Sequence, residues 1–366
     1  MTAPLRLGLV GPVPPPNGGM AMQTRQLARL LAREGVQVEL VATNAPYRPG
    51  FIGRLKGIRA LFRLLPYLWR GWRLAGRVDV IHLMANSGWS WQLFSAPVIW
   101  IGWLRGTPVI VNYRGGEARE YLQKSAARVL PTLGRARRVV VPSGFLEQVF
   151  ADFDVRARVI PNIIDLETFH PARSATSGQE SRAQGEYVVV ITRNLEPIYG
   201  LETAIHCIAQ VRAAIPGIVL KIAGSGPQLA RLQDLSVRLG VQDRVFFLGR
   251  LERPEVVALY QSADVMLNPA LVDNMPNSVL EALACGVPVI STNVGGVPFL
   301  VENGSTALLV EPGDADAMAA ALTNLHADRA LAGRLVQAGI ELVRRFAWPV
   351  VKEQWLALYR AEVPAT

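Results

Sequence analysis

Short apolar runs recur along the chain, each followed by a stretch with helical spacing. In the first half the runs are LRLGLV, VQVELVA, DVIHLM, TPVIVNY, RRVVVPS and ARVIPN. Helical patterns follow Gly19, surround Leu61 and Phe94, and follow Glu117 and Gly144. After a small, polar stretch the pattern restarts with EYVVVIT, GIVLKIAG, DRVFFLG, ADVMLNP, VPVIST and TALLVE. Apolar strands alternating with helices predict parallel, doubly wound sheets, whose ligands gather at the carboxyl ends of the strands. Two such series predict two domains, residues 1–171 and 187–345, joined by a linker over 172–186. A last helix over 346–366 carries apolar positions at Val350, Val351, Trp355, Leu356, Leu358 and Tyr359.

The richest local pattern is DNMPNSVLEALACG over 273–286, followed by VPVIST and a second glycine loop. A polar loop with Pro276 enters a helix whose apolar face is Val279, Leu280, Leu283 and Ala284, and Gly286 ends it. Asp273 on the loop and Glu281 on the helix are spaced to grip two sets of hydroxyls on one ligand. Backbone N–H groups around Asn274, Asn277 and Ser278 at the helix start favour phosphate. Hydroxyls and phosphates together suggest a nucleotide sugar. The competing reading is that Asp273 and Asn274 merely cap the helix.

These residues resemble glycosyltransferase family four, the retaining sugar transferases of the GT-B fold. That resemblance implies an α/β chain with two Rossmann-like doubly wound parallel-sheet domains facing a central cleft. Glu281, Ala282 and Gly286-Val-Pro-Val match the family signature of two Glu eight positions apart, while its first Glu is Asp273 here. The resemblance gives Glu281 the nucleotide ribose and Asp273 the donor sugar. It places Arg193 of ITRNLEPIYG on the donor diphosphate, with Tyr199 standing where the family has a second cation, a Lys. Gly224-Ser-Gly226-Pro227 matches a family turn, Arg250 lies in a loop near the base, and Gly295-Gly296 resembles the loop beside the diphosphate. Gly18 and Gly19 resemble the N-terminal glycine loop. This pair is not a GxGxxG fingerprint, which argues against a dinucleotide cofactor. Two His that the family often carries fall on Met84 and Arg114. Arg114 is therefore expected on an anionic acceptor or the leaving phosphate, with Asn86 as another polar candidate and His82 as a packing residue. The last helix is expected to pack back on the N-terminal domain.

The resemblance implies transfer of a hexose from a UDP- or GDP-sugar to a glycan or a polyprenyl-diphosphate-linked acceptor, in exopolysaccharide or cell-surface glycan assembly. No nucleophile flanks the expected site, so catalysis would rest on positioning and leaving-group stabilisation, with neither metal nor separate cofactor. Two alternatives stay open. One is a nucleotide-sugar epimerase on the same fold. The other is a binding subunit with degraded catalysis, suggested by Tyr199, Met84 and Arg114.

Charge changes the picture of the first half. Residues 1–170 hold 22 Lys and Arg against 10 Asp and Glu, and the remainder holds 16 against 19. A basic half implies an anionic partner, for which nucleic acid and membrane both qualify. Arg54–Arg77 favours membrane. Its apolar positions 55, 58, 62, 65, 69 and 72 run beside Lys56, Arg59, Arg63, Arg70, Arg73 and Arg77, the pattern of an interfacial helix. A core helix with a solvated basic face is the competing reading, and Pro66 is expected to divide the segment into two helices. LFSAPVIWIGWL is too short to span a bilayer and reads as a core helix or a second surface contact. We expect an anionic membrane partner, no nucleic acid, and a cytoplasmic enzyme peripheral on the inner face. Cys207 and Cys285 read as buried thiols of a reducing compartment, and the N-terminus shows no signal pattern.

Overall fold

The computed structural model describes residues 4–15, 18–46, 59–172 and 185–363. They divide into two compact units, Met1–Ile163 with Trp348–Thr366, and Ile164–Ala347.

The first unit is one parallel sheet of six strands: β1 (Arg6–Gly11), β2 (Gln37–Ala42), β3 (Val80–Ala85), β4 (Val109–Tyr113), β5 (Arg138–Val141) and β6 (Ala157–Val159), in the order β2-β1-β3-β4-β5-β6. Its helices are α1 (Gly19–Arg33), α2 (Arg59–Ala75), α3 (Ala96–Arg105), α4 (Ala118–Leu133) and α5 (Gly144–Ala151). β3 and β4 lie mid-sheet and are buried along their whole length, which is why they read as continuous apolar runs. The second unit repeats the plan. Its strands β7 (Tyr187–Thr192), β8 (Ile218–Ala223), β9 (Val245–Gly249), β10 (Val265–Asn268), β11 (Val289–Thr292) and β12 (Leu308–Val310) take the order β12-β11-β10-β7-β8-β9. Its helices are α6 (Leu201–Val211), α7 (Leu229–Arg238), α8 (Arg253–Gln261), α9 (Asn277–Ala284), α10 (Ala315–Ala327) and α11 (Arg329–Val343). In both sheets the strand order reverses beside the first strand, at β1/β3 and β7/β10. Each unit thus has a topological switch point where loops diverge and leave room for a ligand.

The division between units falls at Ile163/Ile164, ahead of the expected residue 171. The Ile164 N–H donates to the Phe346 carbonyl at 3.0 Å, and Phe169 is buried in the second unit's core. Residues 164–172 are thereby held to the second sheet. The remainder of the expected linker, 173–184, lies outside the described residues. The last helix, α12 (Trp348–Glu362), belongs to the first unit, where Trp355 and Tyr359 are buried with Leu7, Leu9 and Ile110. Both cysteines are buried free thiols, and burial pushes each up to about 12.

One expectation for Arg54–Arg77 is corrected, and the competing reading of its apolar stripe as a core face is set aside. α2 runs unbroken through Pro66. A proline inside a helix costs about 3 kcal/mol, and the residue after it supplies an anchor. Tyr67 is buried, donates its hydroxyl to the Phe94 carbonyl at 2.8 Å and packs edge-on to the Phe94 ring. The core face of α2 is Tyr67, Gly71, Leu74 and Ala75, not the apolar stripe. Phe62, Leu65, Trp69 and Trp72 point outward and are 44–57% exposed. Residues 54–58 lie outside the described residues.

Candidate functional site

The carboxyl ends of β7 and β10, neighbours in the second sheet, bring together the residues on which the sequence placed most chemistry. Arg193 follows β7 directly and Asn268 ends β10. The Asn268 Oδ1 accepts from Arg193 Nη2 at 2.9 Å and Nε at 3.2 Å, while its Nδ2 donates to Ser291 Oγ of β11 at 2.9 Å. Arg193 Nη2 also donates to Asp273 Oδ2, with the two side chains only 12% and 10% exposed. Arg193 is therefore a mostly buried, ion-paired group and not a surface arginine. The Tyr199 ring lies against the remaining face of the guanidinium, 5.0 Å from its carbon. The position that lacks a second cation thus holds an aromatic plate on the first.

Backbone contacts fix this cluster. Leu271 N–H donates to the Ile198 carbonyl at 2.8 Å, tying the loop after β10 to the turn that carries Tyr199. Gly200, at φ +57°, makes that approach possible, since a Cβ there would lie 2.1 Å from the Pro269 carbonyl oxygen. A Cβ on Gly224 or Gly226 would meet the carbonyl oxygens of Arg193 or Leu195 at 1.8 and 2.4 Å. The sequence left those two glycines open between a tight turn and a ligand contact. The structure gives them a packing task, because they let the β8–α7 turn lie flat on the Arg193–Leu195 backbone.

α9 opens beside this cluster. Its N-cap is Pro276, with no side-chain cap, and Asp273 is taken up by Arg193. The capping reading of Asp273 and Asn274 is not what the structure shows. Asn274 and Ser278 are buried while Asn277 is half-buried. The Ser278 Oγ is buried without a hydrogen-bond partner among the described residues, although its carbonyl accepts from the Tyr260 hydroxyl at 3.1 Å. Gly295, at φ +50°, turns the loop after β11 so that Gly296 N–H donates to the Asp273 carbonyl at 2.9 Å. The two glycine loops and the α9 start therefore converge on the Arg193–Asp273 pair.

Glu281 lies one turn further along α9. Among the described residues no hydrogen bond reaches its carboxylate, and burial pushes it up to about 7 against the opposing charges of Arg253 and Arg193. A carboxylate desolvated without a partner has acceptor capacity in reserve, as a ligand hydroxyl pair requires. Burial likewise raises Asp273 above the ordinary carboxylate range, with Arg193 opposing. Sequence reading missed Arg253. It opens α8, pairs with Asp165 at 3.1 Å, lies over the Phe169 ring and stands near enough to favour the charged form of Glu281. It also missed Asn268, whose signal was a polar residue ending a buried apolar strand before Pro269. Arg250, expected near the base, is exposed and makes no hydrogen bond or ion pair among the described residues.

In the first unit Gly18 is the N-cap of α1 and Gly19 its first residue, with open space where a Gly18 Cβ would lie. Arg114 follows β4 and anchors a polar ladder. Its Nε donates to Asn112 Oδ1 at 3.3 Å and its Nη1 to Asn162 Oδ1. Asn112 Nδ2 lies 3.0 Å from His82 Nε2, and His82 Nδ1 lies 2.6 Å from the Tyr359 hydroxyl. Burial and the Arg114 charge push His82 down to about 3, so the ring is neutral. It accepts from Asn112 at Nε2 and donates from Nδ1 to Tyr359. The ring also packs on Trp355 at 4.5 Å. His82 is a packing residue that ties β3 to α12. Burial lowers Arg114 to about 10. Met84 is buried against Asn112, and Asn86 accepts from the Ser87 N–H at 2.8 Å, closing its own turn.

Comparison with known proteins bears on both units. Residues 17–168 match the model described as Glycosyltransferase Family 4, and residues 173–342 match Glycosyl transferases group 1. The chain is 26% identical to the D-inositol 3-phosphate glycosyltransferase of Segniliparus rotundus, over 94% of this chain and 84% of that protein. It is 32% identical to the GDP-mannose-dependent alpha-(1-6)-phosphatidylinositol monomannoside mannosyltransferase of Mycobacterium tuberculosis, over 64% of each. Among solved structures, sucrose-phosphate synthase from Thermosynechococcus elongatus superposes with TM-score 0.76 at 24% identity, covering 98% of both chains. HepE of Anabaena, in complex with UDP, superposes with TM-score 0.78 at 20% identity over 98% of this chain and all of that one. These likenesses show a shared two-sheet fold.

Proposed function

Since the chain belongs to glycosyltransferase family 4 and is a group 1 glycosyltransferase of the GT-B fold, we propose that it transfers a hexose with retention from a UDP- or GDP-sugar to a glycan or lipid-linked acceptor. The observation that carries this reading is the convergence on one spot of a mostly buried arginine, two carboxylates, a helix start whose N-cap is a proline, and two glycine loops. In this assignment Arg193 and the amides of Gly295 and α9 hold the diphosphate, while Gly296, its N–H on the Asp273 carbonyl, fixes the loop beside it; Glu281 accepts from the ribose hydroxyls, and Asp273 faces the sugar. The leaving diphosphate would gain its negative charge next to a preordered guanidinium in a dry setting, where such donors act most strongly. The acceptor hydroxyl would be deprotonated by the departing phosphate oxygen, with no protein nucleophile and no metal required. Arg114, held by Asn112 and Asn162, is assigned to an anionic group of the acceptor.

The acceptor reading draws on the relatives, whose names specify an inositol phosphate and a phosphatidylinositol mannoside, and on α2. An outward stripe of Phe62, Leu65, Trp69 and Trp72 beside exposed Arg70 and Arg73 suits an anionic leaflet. No helix among the described residues is long and apolar enough to cross a membrane. A cytoplasmic enzyme peripheral on the membrane, working in exopolysaccharide or cell-surface glycan assembly, fits this reading.

The test is a thermal-shift panel of nucleotide sugars, followed by transfer of labelled sugar from the stabilising donor into a membrane lipid extract. Stabilisation by one UDP- or GDP-sugar, then labelled lipid or glycan formed in the presence of a chelator, is expected. Isomerisation of the donor without an acceptor would make the protein an epimerase. Donor binding with no transfer to any extract would make it a binding subunit.

A further inference from the structure

We propose, resting on the membrane contact assigned to α2, that α3 is the second half of the same lipid-facing platform, and that the two helices lie side by side on an anionic leaflet. α3 is amphipathic in the wrong sense for a core helix. Val98, Ile99 and Gly102 face inward, and a Cβ on Gly102 would lie 2.2 Å from the Val109 side chain, so the backbone sits directly on β4. On the opposite face Trp100, Trp103 and Leu104 are 36%, 47% and 63% exposed. Exposed large apolar residues at i, i+3 and i+4 make a patch, not isolated surface residues.

The α2 and α3 faces are continuous. Gly71 of α2 brings that helix close to α3, with Ile101 3.6 Å and Val98 3.9 Å from where its Cβ would lie. Arg105, ending α3, lies over the Trp72 ring of α2 at 4.9 Å. Arg73 lies over Trp69 at 4.7 Å, and Arg135 over Trp103 at 4.4 Å and Trp100 at 5.4 Å. Each exposed indole of the two helices thus carries a stacked guanidinium. Stacking orders the guanidinium and leaves its edge N–H donors free to meet phosphate, while the ring offers an amphipathic body for the headgroup boundary. Asp79 is the only acidic residue from 59 to 116, and its carboxylate pairs with Arg6. A dense set of indoles and guanidiniums without acids matches an anionic phospholipid surface by charge as well as polarity.

The test is co-sedimentation of the full chain with phosphatidylcholine vesicles, with and without phosphatidylglycerol, together with tryptophan emission. Wild-type protein should bind only the anionic vesicles, release at high salt and shift its emission to the blue. Changing Trp100, Trp103 and Leu104 together to Ser should cut partitioning by about tenfold or more. Trp100→Phe with Trp103→Phe should keep most of it. Far-UV circular dichroism and nucleotide binding, unchanged in both, show that the variants are folded. If the Ser variant partitions like wild type while Arg70→Gln with Arg73→Gln does not bind, the role of α3 is wrong and that of α2 stands. If wild-type protein ignores anionic vesicles at low salt, both fall. A concentration-dependent dimer that the Ser variant abolishes would make the face a contact between copies and overturn the lipid assignment.

Discussion

Arg193 and Asp273, eighty residues apart in sequence, form a mostly buried ion pair that Asn268 braces from one side and Tyr199 covers from another. Any anion that uses Arg193 must share it with Asp273. The pair holds the guanidinium in place before the ligand arrives, and it makes one residue's loss the other's problem.

Removing one partner of a buried pair costs about 3–5 kcal/mol, because a charge is left uncompensated. Arg193→Met is therefore expected to lower unfolding free energy in urea by about 3 kcal/mol or more. Arg193→Met combined with Asp273→Leu is expected to cost clearly less than the sum of the two single changes. Additive costs would mean the two side chains do not interact. Arg193→Met should also weaken nucleoside diphosphate binding more than monophosphate binding, and equal losses would confine Arg193 to the fold.

Glu281→Gln is expected to weaken nucleotide binding about tenfold to a hundredfold, the range for hydrogen bonds to a charged group. Burial raises Glu281 to about 7, so wild-type affinity should rise as pH climbs through 7 while the Gln variant stays flat. Stability moves the opposite way. The folded state prefers the protonated acid, so the contribution of Glu281 is full below its ordinary value and is lost as pH rises through about 7. Calorimetric titration against pH reads the first effect and denaturant midpoints the second.

Tyr199→Lys adds a cation next to Arg193 in place of a stacked ring. Diphosphate affinity should rise, most at low salt, while thermal stability falls by the loss of a contact worth about 1 kcal/mol. Tyr199→Phe should change neither by much. If the Lys variant gains nothing for diphosphate over monophosphate, the position does not face the ligand's terminal phosphate.

His82→Ala leaves Asn112 and the Tyr359 hydroxyl without their shared partner in the core, an expected loss of about 2–3 kcal/mol, with nucleotide binding unchanged. Because burial holds His82 down at about 3, the unfolded chain takes up a proton that the folded one refuses. The stability that His82 contributes is therefore lost as pH falls from about 6.5 toward 3. The same acid titration of the Ala variant should be shallower. An unchanged slope would show that His82 does not resist protonation.

The strand–helix alternation was legible along the chain. Buried parallel strands must be apolar throughout, and each run from LRLGLV to TALLVE became a strand of one of the two sheets. The candidate chemistry was legible too, since the glycine turns and the DNMPNSVLE segment carry their spacing in one dimension. The Arg193–Asp273 pair was not, because it depends on β7 and β10 being neighbours, and register across a sheet is settled by packing. Nor did periodicity tell which side of α2 is buried. The stripe at 62, 65, 69 and 72 is the more apolar face by pattern, yet Gly71 packs by α3 and Tyr67 by Phe94, and the indoles are left outside. Sequence by itself determined where the elements lie and which residue types gather at their ends. Tertiary structure alone decided which side chains neutralise one another and which apolar faces stay uncovered, because both depend on neighbours distant in the chain.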